Sequence, residues 1–305
     1  MSYWRLFWYV PLVAYQKMSL DTAVNIINQL LPEPHSSLLA GMLFGVRRTI
    51  PTALYDDLIT TGTIHVVALS GMNITILVRV LFDGLGSILG KILGVCLTLV
   101  GITVFVWFVG PSPTVVRAAF MGGISVLAVY FGRKDIPLLS LVLTALTMLV
   151  YDHTLFTNVS FQLSFAATLG ILLFGSKPSA LKLKQQMQSG KLSFTSGLPQ
   201  KVKSYLVSFA VWTAGEFRVT LSAQLFTVPL IIYHFRQVSL IAPLANVLTG
   251  WLVPWIMYLG FLAVFASLLS GTVGHVFALL VWVPLTVFIY LVELCAQIPG
   301  AAVSL

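Results

Sequence analysis

Polar residues stand in an apolar stretch at residues 64–80, which reads IHVVALSGMNITILVRV. On one continuous helix, Ser70 and Asn73 would lie about 60° apart and His65 about 80° from Asn73, so the three would share one side. Gly71 would weaken that helix by about 1 kcal/mol relative to alanine and could free backbone groups for a ligand. The pattern fits either a hydrogen-bonded contact between helices or part of a hydrated path.

A single arginine, Arg117, lies about one turn after a helix start that the sequence GPSPTVV predicts. An ionised side chain inside an apolar helix costs about 2.5–3.5 kcal/mol. Arg117 should therefore face a partner or a water-filled path. The alternative is that its long side chain reaches the nearby membrane surface.

Three further stripes of polar side chains occur in apolar segments. One stripe alone is more often a contact between helices than a functional feature. These stripes lie beside helix breakers, however, and unwound backbone at membrane depth is tolerated only inside protein or along a water-lined cavity. Together they favour a hydrated path. Their members are Asn158 and Gln162, with Ser164 on another face; Thr220, Gln224 and Thr227, followed by Pro229 as a predicted break; and Asn246 with Thr249, shortly after Pro243.

The composition places these residues in a membrane protein. Of 305 residues, 58% are hydrophobic and 9% are charged, whereas about a quarter of a soluble domain is charged. A helix needs about 20 residues to cross a bilayer. We expect an all-α polytopic bundle of about eight transmembrane helices with broken or re-entrant segments. The apolar runs are 64–82, 86–109, 113–131, 136–152, 154–175, 217–235, 240–268 and 274–298.

The N-terminal region, residues 1–62, has a different pattern. It predicts an interfacial segment and short amphipathic helices at 21–31, 36–46 and 51–61, none of them long enough to cross a bilayer. We expect these helices to lie on the surface or to cap the bundle. Residues 63–305 then form the transmembrane channel domain.

The charge is uneven along the chain. The formal net charge of +8 comes from 17 basic and 9 acidic residues. Much of the excess lies in the loop 176–204, which has six lysines and no acid. By the positive-inside rule this loop is cytoplasmic, which places the N-terminal region and the C-terminus outside. The protein is expected in the inner (plasma) membrane.

Soluble catalytic motifs are missing from the sequence. The stretch 85–92 lacks the first glycine of a GxxxxGK[ST] cradle and has isoleucine after Lys91, and the five histidines lack metal-binding spacing. We therefore expect no catalytic residue, metal site or cofactor, and no enzyme. Two alternatives stay open. An intramembrane serine protease would need a histidine near Ser70, and a small-solute secondary transporter would need a closed midplane pocket and inverted repeats.

Four segments, in this order, resemble the competence domain of the ComEC family, inner-membrane channel proteins of natural DNA uptake. They are HVVALSGMNI, GPSPTVVRAAFMGG, FQLSFAATLGIL and TVPLIIYHFRQVSLIAPLANVL. The resemblance spans roughly residues 36–270.

The resemblance implies that the protein passes one DNA strand across the cytoplasmic membrane during natural transformation. Asn73 stands where many family members have histidine. Full-length members also have an OB-like region and a metallo-β-lactamase-like nuclease domain, and this sequence resembles neither. We expect single-stranded DNA and the lipid bilayer as partners, with a separate nuclease or OB-like domain and an ATP-driven motor protein as further candidates. The residues that match the family motifs are His65, Ser70, Gly71, Arg117, Gln162, Ser164, Gln224, Pro229, Pro243 and Asn246.

The physics of single-strand binding agrees with this hypothesis. Proteins hold single strands with basic grooves and with aromatic rings that each stack a base for about 1–3 kcal/mol. Here the basic and aromatic side chains are sparse, and sparse contacts suit conduction because a conducted molecule must also leave. The candidates are Arg117, Arg218, Arg236 and His65, with Phe161, Phe165 and Tyr233.

Overall fold

The computed structural model describes residues 18–67, 71–78, 90–175 and 200–304. Within them the chain forms a helix bundle with one short two-stranded sheet. The helices are α1 (18–30), α2 (His35–Phe44), α3 (Thr52–Thr60), α4 (Ile64–Val67), α5 (Gly71–Val78), α6 (Lys91–Val109), α7 (Pro113–Tyr130), α8 (Pro137–Tyr151), α9 (Val159–Phe174), α10 (Gln200–Phe235), α11 (Ala242–Gly250), α12 (Leu252–Leu269) and α13 (Gly271–Ala296). The strands are β1 (Gln237–Ser239) and β2 (Ala302–Ser304), and a 3₁₀ turn spans His153–Thr157.

Four of the described helices, α6, α7, α12 and α13, are long and apolar enough to cross a membrane by length and composition. Their outer faces carry exposed apolar side chains such as Val104, Phe265 and Leu279. A continuous apolar surface of this kind fits lipid and is rare on proteins in water. The helical membrane class is therefore confirmed, with the small sheet as an unpredicted addition. The count of about eight crossings stays a prediction, because α8 and α9 have only 15 and 16 residues.

The predicted interruption of the run 240–268 is confirmed. The run divides at Trp251 into α11 and α12. Pro243 lies in the first turn of α11, where a backbone N–H would have no helical acceptor in any case. Pro254 occupies the corresponding first turn of α12.

The predicted helix break at Pro229 is wrong. Helix α10 continues through Pro229 to Phe235. A proline inside a helix removes one hydrogen bond, and membrane helices tolerate this loss because neighbouring groups satisfy the freed carbonyl. The helix ends at Phe235, and the positive φ of 52° at the next residue, Arg236, turns the chain into β1.

The N-terminal helices occur close to the predicted positions, but α2 does not lie on the surface. Residues 36–44 of α2 are all buried, and α2 packs against α12 and α13. A Cβ on Gly260 of α12 would lie only 2.7 Å from Leu39 Cδ1, so the two helices approach closely. The expectation of an amphipathic surface helix was wrong because α2 carries only small or apolar residues after His35 and therefore has no polar face. Arg48 and Asp56, outside α2, are exposed.

Two clusters of buried side chains form the core. The larger joins α1–α4 to the hairpin of α12 and α13, and Leu285 and Phe288 are fully buried in it. The smaller joins α5, α6 and α7 around Ile74 and Phe105. Phe261 of α12 contacts both clusters. The second cluster positions α7 and α5 side by side, and this brings Gly71 of α5 close to Arg117 of α7.

Strands β1 and β2 pair antiparallel, with Val238 opposite Val303. The turn at Gly62 lies beside β1, since a Cβ on Gly62 would lie 3.2 Å from Ser239 Cβ and 2.6 Å from Ala242 Cβ. We call this region, formed by residues 61–63, 237–242 and 301–304, the strand end of the bundle. The chain leaves the strand end at α11 and returns to it at β2. Between these two points it therefore passes along the bundle an even number of times.

Candidate functional site

Arg117 is the fifth residue of α7. Pro113 begins this helix, and the side chain of Ser112 accepts a hydrogen bond from the backbone N–H of Val115 at 3.4 Å. At 1.5 Å per residue, Arg117 lies about 6 Å along the axis from the helix start. The predicted position one turn into a proline-started helix is confirmed.

The guanidinium of Arg117 is held against α9. Its Nε donates a hydrogen bond to Ser164 Oγ at 2.8 Å. Its Nη1 lies 3.7 Å from Met121 Sδ, and its Cζ lies 5.9 Å from the centre of the Phe165 ring. Ser164 is buried, so this hydrogen bond is shielded from water and holds the guanidinium in one place.

Gly71 of α5 lies on another side of the same guanidinium. A Cβ on Gly71 would lie 3.5 Å from Arg117 Nη2 and 3.7 Å from Ala118 Cβ. The absence of a side chain thus leaves a space about the size of a methyl group between α5 and the guanidinium. Three separate polar segments of the sequence therefore meet at one point, which we call the Arg117 cluster: Gly71, Arg117, Ser164 and Phe165.

The Arg117 cluster has an unbalanced positive charge. Among the described residues, no carboxylate forms a salt bridge with Arg117, and the groups that it contacts are a hydroxyl, a thioether and an aromatic ring. A hydrogen bond to a charged group contributes about 1.5–3 kcal/mol and an exposed cation–π contact about 0.5–1 kcal/mol. These neutral contacts hold the cation without cancelling its charge. The cluster is therefore suited to binding an anion.

Gln162 and His234 form a second contact, next to the first along α9. Gln162 Nε2 donates to the backbone carbonyl of Phe156 at 2.8 Å, which turns its Oε1 toward His234 Nε2 at 3.1 Å. Because Oε1 can only accept, the Nε2–H of His234 is the donor in this hydrogen bond. The contact ties the first turn of α9 to the last turn of α10, beside β1 and thus near the strand end.

Exposed aromatic rings surround the Gln162–His234 contact. Phe156, Tyr233 and Phe235 are each at least 60% exposed. The ring centres of Tyr233 and His234 are 5.0 Å apart, in an edge-to-face arrangement. We call Phe156, Tyr233, His234 and Phe235 the aromatic rim.

Asn158 and Asn73 have structural partners. Asn158 is the N-cap of α9, and its Oδ1 accepts hydrogen bonds from the backbone N–H groups of Ser160 and Phe161. The side-chain amide of Asn73 is buried and donates to the carbonyl of Met42 at 2.9 Å, at the end of α2. Of the pair predicted at Asn158 and Gln162, one caps the helix and the other bonds α10. Each pairing fixes a helix end, which the sequence pattern did not predict.

His65 and Asn73 do not share the environment that a common helix side predicts. His65 is exposed, and its Nδ1 lies 2.9 Å from the carbonyl oxygen of Gly62 at the strand end. Asn73 is 1% exposed. Ser70 lies outside the described residues, so its proposed partners, in a path or in a protease, stay predictions.

Thr220 and Gln224 lie on a different side of α10 from the Arg117 cluster. Ser222 of α10 packs so closely on Gly170 of α9 that a Cβ on Gly170 would collide with the Ser222 carbonyl oxygen. Residues two positions away on a helix are rotated by about 160°, so both polar residues point away from α9. Gln224 borders a groove on the outer side of α10 together with Pro229. A role for these residues in a common path stays a prediction.

Pro243 and Asn246 lie in α11, between the strand end and α12. Both are half-buried. Thr249, predicted with them, is buried, and its hydroxyl donates to the carbonyl of Ala245 one turn earlier. Helix α11 packs on α10 and on α13, so this short helix connects the two by its contacts. Its predicted place in a path is not decided by these contacts.

Sequence reasoning missed the residue that holds the turn between α7 and α8. The carboxylate of Asp135 accepts hydrogen bonds from Ser125 and from Ser140, the latter at 3.1 Å. Asp135 follows the exposed pair Arg133 and Lys134, and the simplest interpretation of such a residue is a solvated charge. Serines 10 residues before and 5 residues after an aspartate give no recognisable motif. The described residues also contain no group of three or more His, Cys, Asp or Glu side chains placed to hold a metal ion.

Comparisons with known proteins extend this picture. The model of a family described as "Competence protein" matches residues 42–305. The chain is similar to ComE operon protein 3 of Bacillus subtilis (strain 168), with 25% identity over 228 residues, which cover 74% of this chain and 26% of the relative. It is also similar to an uncharacterized protein of Aquifex aeolicus (strain VF5), with 33% identity over 135 residues, which cover 44% of this chain and 32% of that protein. The chain thus spans between a quarter and a third of the length of these relatives, and no solved structure matches it.

Proposed function

Because the chain belongs to the competence protein family, we propose that it forms the membrane-embedded part of a channel that passes one strand of DNA across the cytoplasmic membrane during natural transformation. Three facts support the proposal: the family match, the apolar helices and the similarity to a ComE operon protein. The similarity covers only part of that relative, so the function of the whole relative is not transferred with it.

The Arg117 cluster is the observation that carries the proposal. It places a cation without a carboxylate partner in the described residues, beside an aromatic ring and an open glycine, inside a membrane bundle. The backbone of a DNA strand offers a phosphate to the guanidinium and a base to the ring of Phe165. One such contact is weak compared with a basic groove, and weak contacts suit conduction because a conducted strand must leave each site.

We place the outer mouth of the path at the aromatic rim. Gln162 and Ser164 are two residues apart on α9, so the Gln162–His234 contact and the Arg117 cluster lie about 3 Å apart along the helix axis and about 160° apart around it. A strand that stacks on Tyr233 or Phe235 at the rim would then have to pass around the first turn of α9 to reach the Arg117 guanidinium. Two other predicted path residues, Thr220 and Gln224, lie on another face of α10 and are not needed for this route.

The proposed orientation places the strand end outside the cell. Lys91 begins α6, and Arg133 and Lys134 follow the end of α7, so these exposed cations lie at the same end of this helix pair. The positive-inside rule places that end in the cytoplasm. Helix α9 and the part of α10 from Arg218 onward run side by side over about 25 Å, close to the roughly 30 Å of the bilayer core. We therefore propose that both cross the inner membrane, which with α6, α7, α12 and α13 makes six of the roughly eight expected crossings.

The relatives are longer than the matched region, and the parts outside it suggest what kind of partner this chain acts with. ComE operon protein 3 has room for further domains outside the matched 26% of its length. We propose that an OB-like or nuclease domain and an ATP-driven motor act together with this chain. The channel would then guide the strand, while a partner or a gradient supplies the driving force.

Uptake of fluorescently labelled DNA into competent cells tests the proposal. Arg117→Gln should lower uptake at least tenfold, because a charged hydrogen bond is worth about 1.5–3 kcal/mol and each 1.4 kcal/mol is a factor of ten. Arg117→Lys should keep part of the uptake, since it retains the charge and loses the planar fork. Arg133→Gln is the matched control, because it removes the same charge from an exposed turn.

The assay requires equal membrane levels of all variants. Normal uptake by Arg117→Gln would exclude the Arg117 cluster as the contact that carries the function. In vesicles that contain the purified chain, entry of single-stranded DNA should also fall as salt rises, because phosphate contacts release counterions. Entry that is independent of salt would contradict a phosphate contact.

A further inference from the structure

A groove of about 870 Å³ runs along the outer side of α10, at the end of α9. Its volume lies within the range of about 300–1,000 Å³ that is common for small-molecule sites. Apolar side chains form most of its wall, and two of them, Leu221 and Leu225, are 45% and 62% exposed. The lining residues that matter here are Phe174, Phe217, Arg218, Leu221, Leu225 and Val228.

Most of the length of the groove matches one leaflet of a membrane. From Ala214 to Pro229 the helix rises over fifteen residues, which is about 22 Å, and the part from Arg218 to Pro229 accounts for about 16 Å of this length. The hydrocarbon core of a bilayer is about 30 Å thick, so one leaflet contributes about 15 Å. The part of the groove from Arg218 to Pro229 is therefore about as long as the acyl region of a single leaflet.

Arg218 places a positive charge near one end of the groove, about 6 Å along the helix from Ala214. Its Nε donates to the carbonyl oxygen of Phe174 at 2.9 Å, at the last residue of α9, where a cation also balances the helix dipole. In the described part of the chain, no carboxylate forms a salt bridge with Arg218. The terminal amino groups of the guanidinium can thus bind a phosphate in a two-point contact.

We propose that this groove binds one anionic phospholipid from the leaflet on the side of the lysine-rich loop. The acyl chain lies along Phe217, Leu221, Leu225 and Val228, and the headgroup phosphate contacts Arg218. Ser164, which binds Arg117, lies about 120° around α9 from Gly170, which faces α10, so this groove is separate from the Arg117 cluster. The inference does not depend on DNA passage, because it rests on groove length, apolar walls and one terminal cation.

Retention of lipid by the purified chain tests the site. Native mass spectrometry after exchange into nanodiscs should show phosphatidylglycerol bound in preference to phosphatidylcholine. Arg218→Gln should weaken phosphatidylglycerol binding about fivefold, since one basic residue near an anionic surface contributes about that factor. Arg218→Lys should retain most of the binding. Arg133→Gln, which removes an exposed cation elsewhere, should leave it unchanged.

A second variant tests the groove without changing the charge. Val228→Trp should fill the space beside Leu221 and Leu225 and should reduce the binding of both lipids, with an unchanged unfolding temperature in phosphatidylcholine alone. If Arg218→Gln fails to fold because Phe174 loses its partner, lipid retention by Val228→Trp decides whether the groove is the binding site. Unchanged lipid retention in that variant overturns the proposal.

Three other outcomes also overturn it. Equal loss of lipid in Arg133→Gln and Arg218→Gln would indicate a general attraction of basic residues to the membrane. If glycerol phosphate displaces the bound lipid at the same concentration as a competing long-chain lipid does, the groove is a site for free phosphate. A dimer that Val228→Trp dissociates would show that a second copy of the chain occupies the groove.

Discussion

Substitution of Gly71 should separate the stability of the protein from its uptake of DNA. A Cβ added at Gly71 would lie 3.5 Å from Arg117 Nη2 and 3.7 Å from Ala118 Cβ, which are both ordinary van der Waals distances. Alanine therefore fits without movement, and in a helix it is favoured over glycine by up to about 1 kcal/mol. Gly71→Ala should leave the free energy of unfolding unchanged or raise it.

DNA uptake by Gly71→Ala should nevertheless fall several-fold, because the new methyl group covers the side of the guanidinium that glycine leaves open. Gly71→Leu adds three more carbon atoms in the same direction. It should abolish uptake and cost about 1–3 kcal/mol of stability, as is typical of overpacking. The diagnostic result is that Gly71→Ala keeps or raises stability while it lowers DNA uptake.

The assay combines thermal unfolding of purified protein with uptake of labelled DNA at matched membrane levels. Gly123→Ala is the control, because its Cβ would lie 3.6 Å from Leu99 Cδ2, away from Arg117. It should raise stability in the same way and leave uptake unchanged. If Gly71→Ala and Gly123→Ala take up DNA equally well, the open side of Arg117 does not contact the strand, and the reasoning is refuted.

Three further predictions concern the packing and the charges of the bundle. Gly170→Ala should destabilise the protein by at least about 1–3 kcal/mol in thermal unfolding, because the added methyl would collide with the carbonyl of Ser222; an unchanged unfolding temperature would contradict the close packing of α9 on α10. Asn73→Ala should cost about 1–3 kcal/mol by removing a buried donor, and uptake per folded molecule should stay normal; a specific loss of uptake would instead assign Asn73 to the path. Burial raises the pKa of Asp57, so the folded state holds this proton more tightly than the unfolded state, and stability should fall as pH rises from about 3.8 through the raised pKa. Asp57→Asn should remove that fall and raise stability at neutral pH, as measured by unfolding temperature against pH.

The sequence predicted the Arg117 site in part. The proline-marked helix start placed the arginine one turn inside an apolar helix, and the structure confirms that depth. Ser164 and Gly71 belong to polar segments for which the sequence predicted either a contact between helices or a hydrated path. Their contact with Arg117 was not predictable, because Ser164 is 47 positions away along the chain and depends on how α7 packs against α9.

The errors have a common physical origin. The surface position expected for α2 came from its short length, but burial depends on which neighbours cover a helix, and here α12 and α13 cover it. The predicted break at Pro229 came from the missing N–H of proline, and a bundle can satisfy the carbonyl that this leaves free. In both cases a rule for an isolated segment was overruled by contacts from elsewhere in the chain.

The amino-acid sequence by itself determined the class of the protein, the positions of most helices and the side chains that need a partner inside a membrane. These properties follow from local composition and periodicity, because water and lipid act on each segment separately. The tertiary structure alone decided which polar residues meet: Gly71 and Ser164 at Arg117, Gln162 at His234, and Arg218 at the end of α9. Such contacts depend on helix packing between distant segments, and the periodicity of a single helix contains no information about its neighbour.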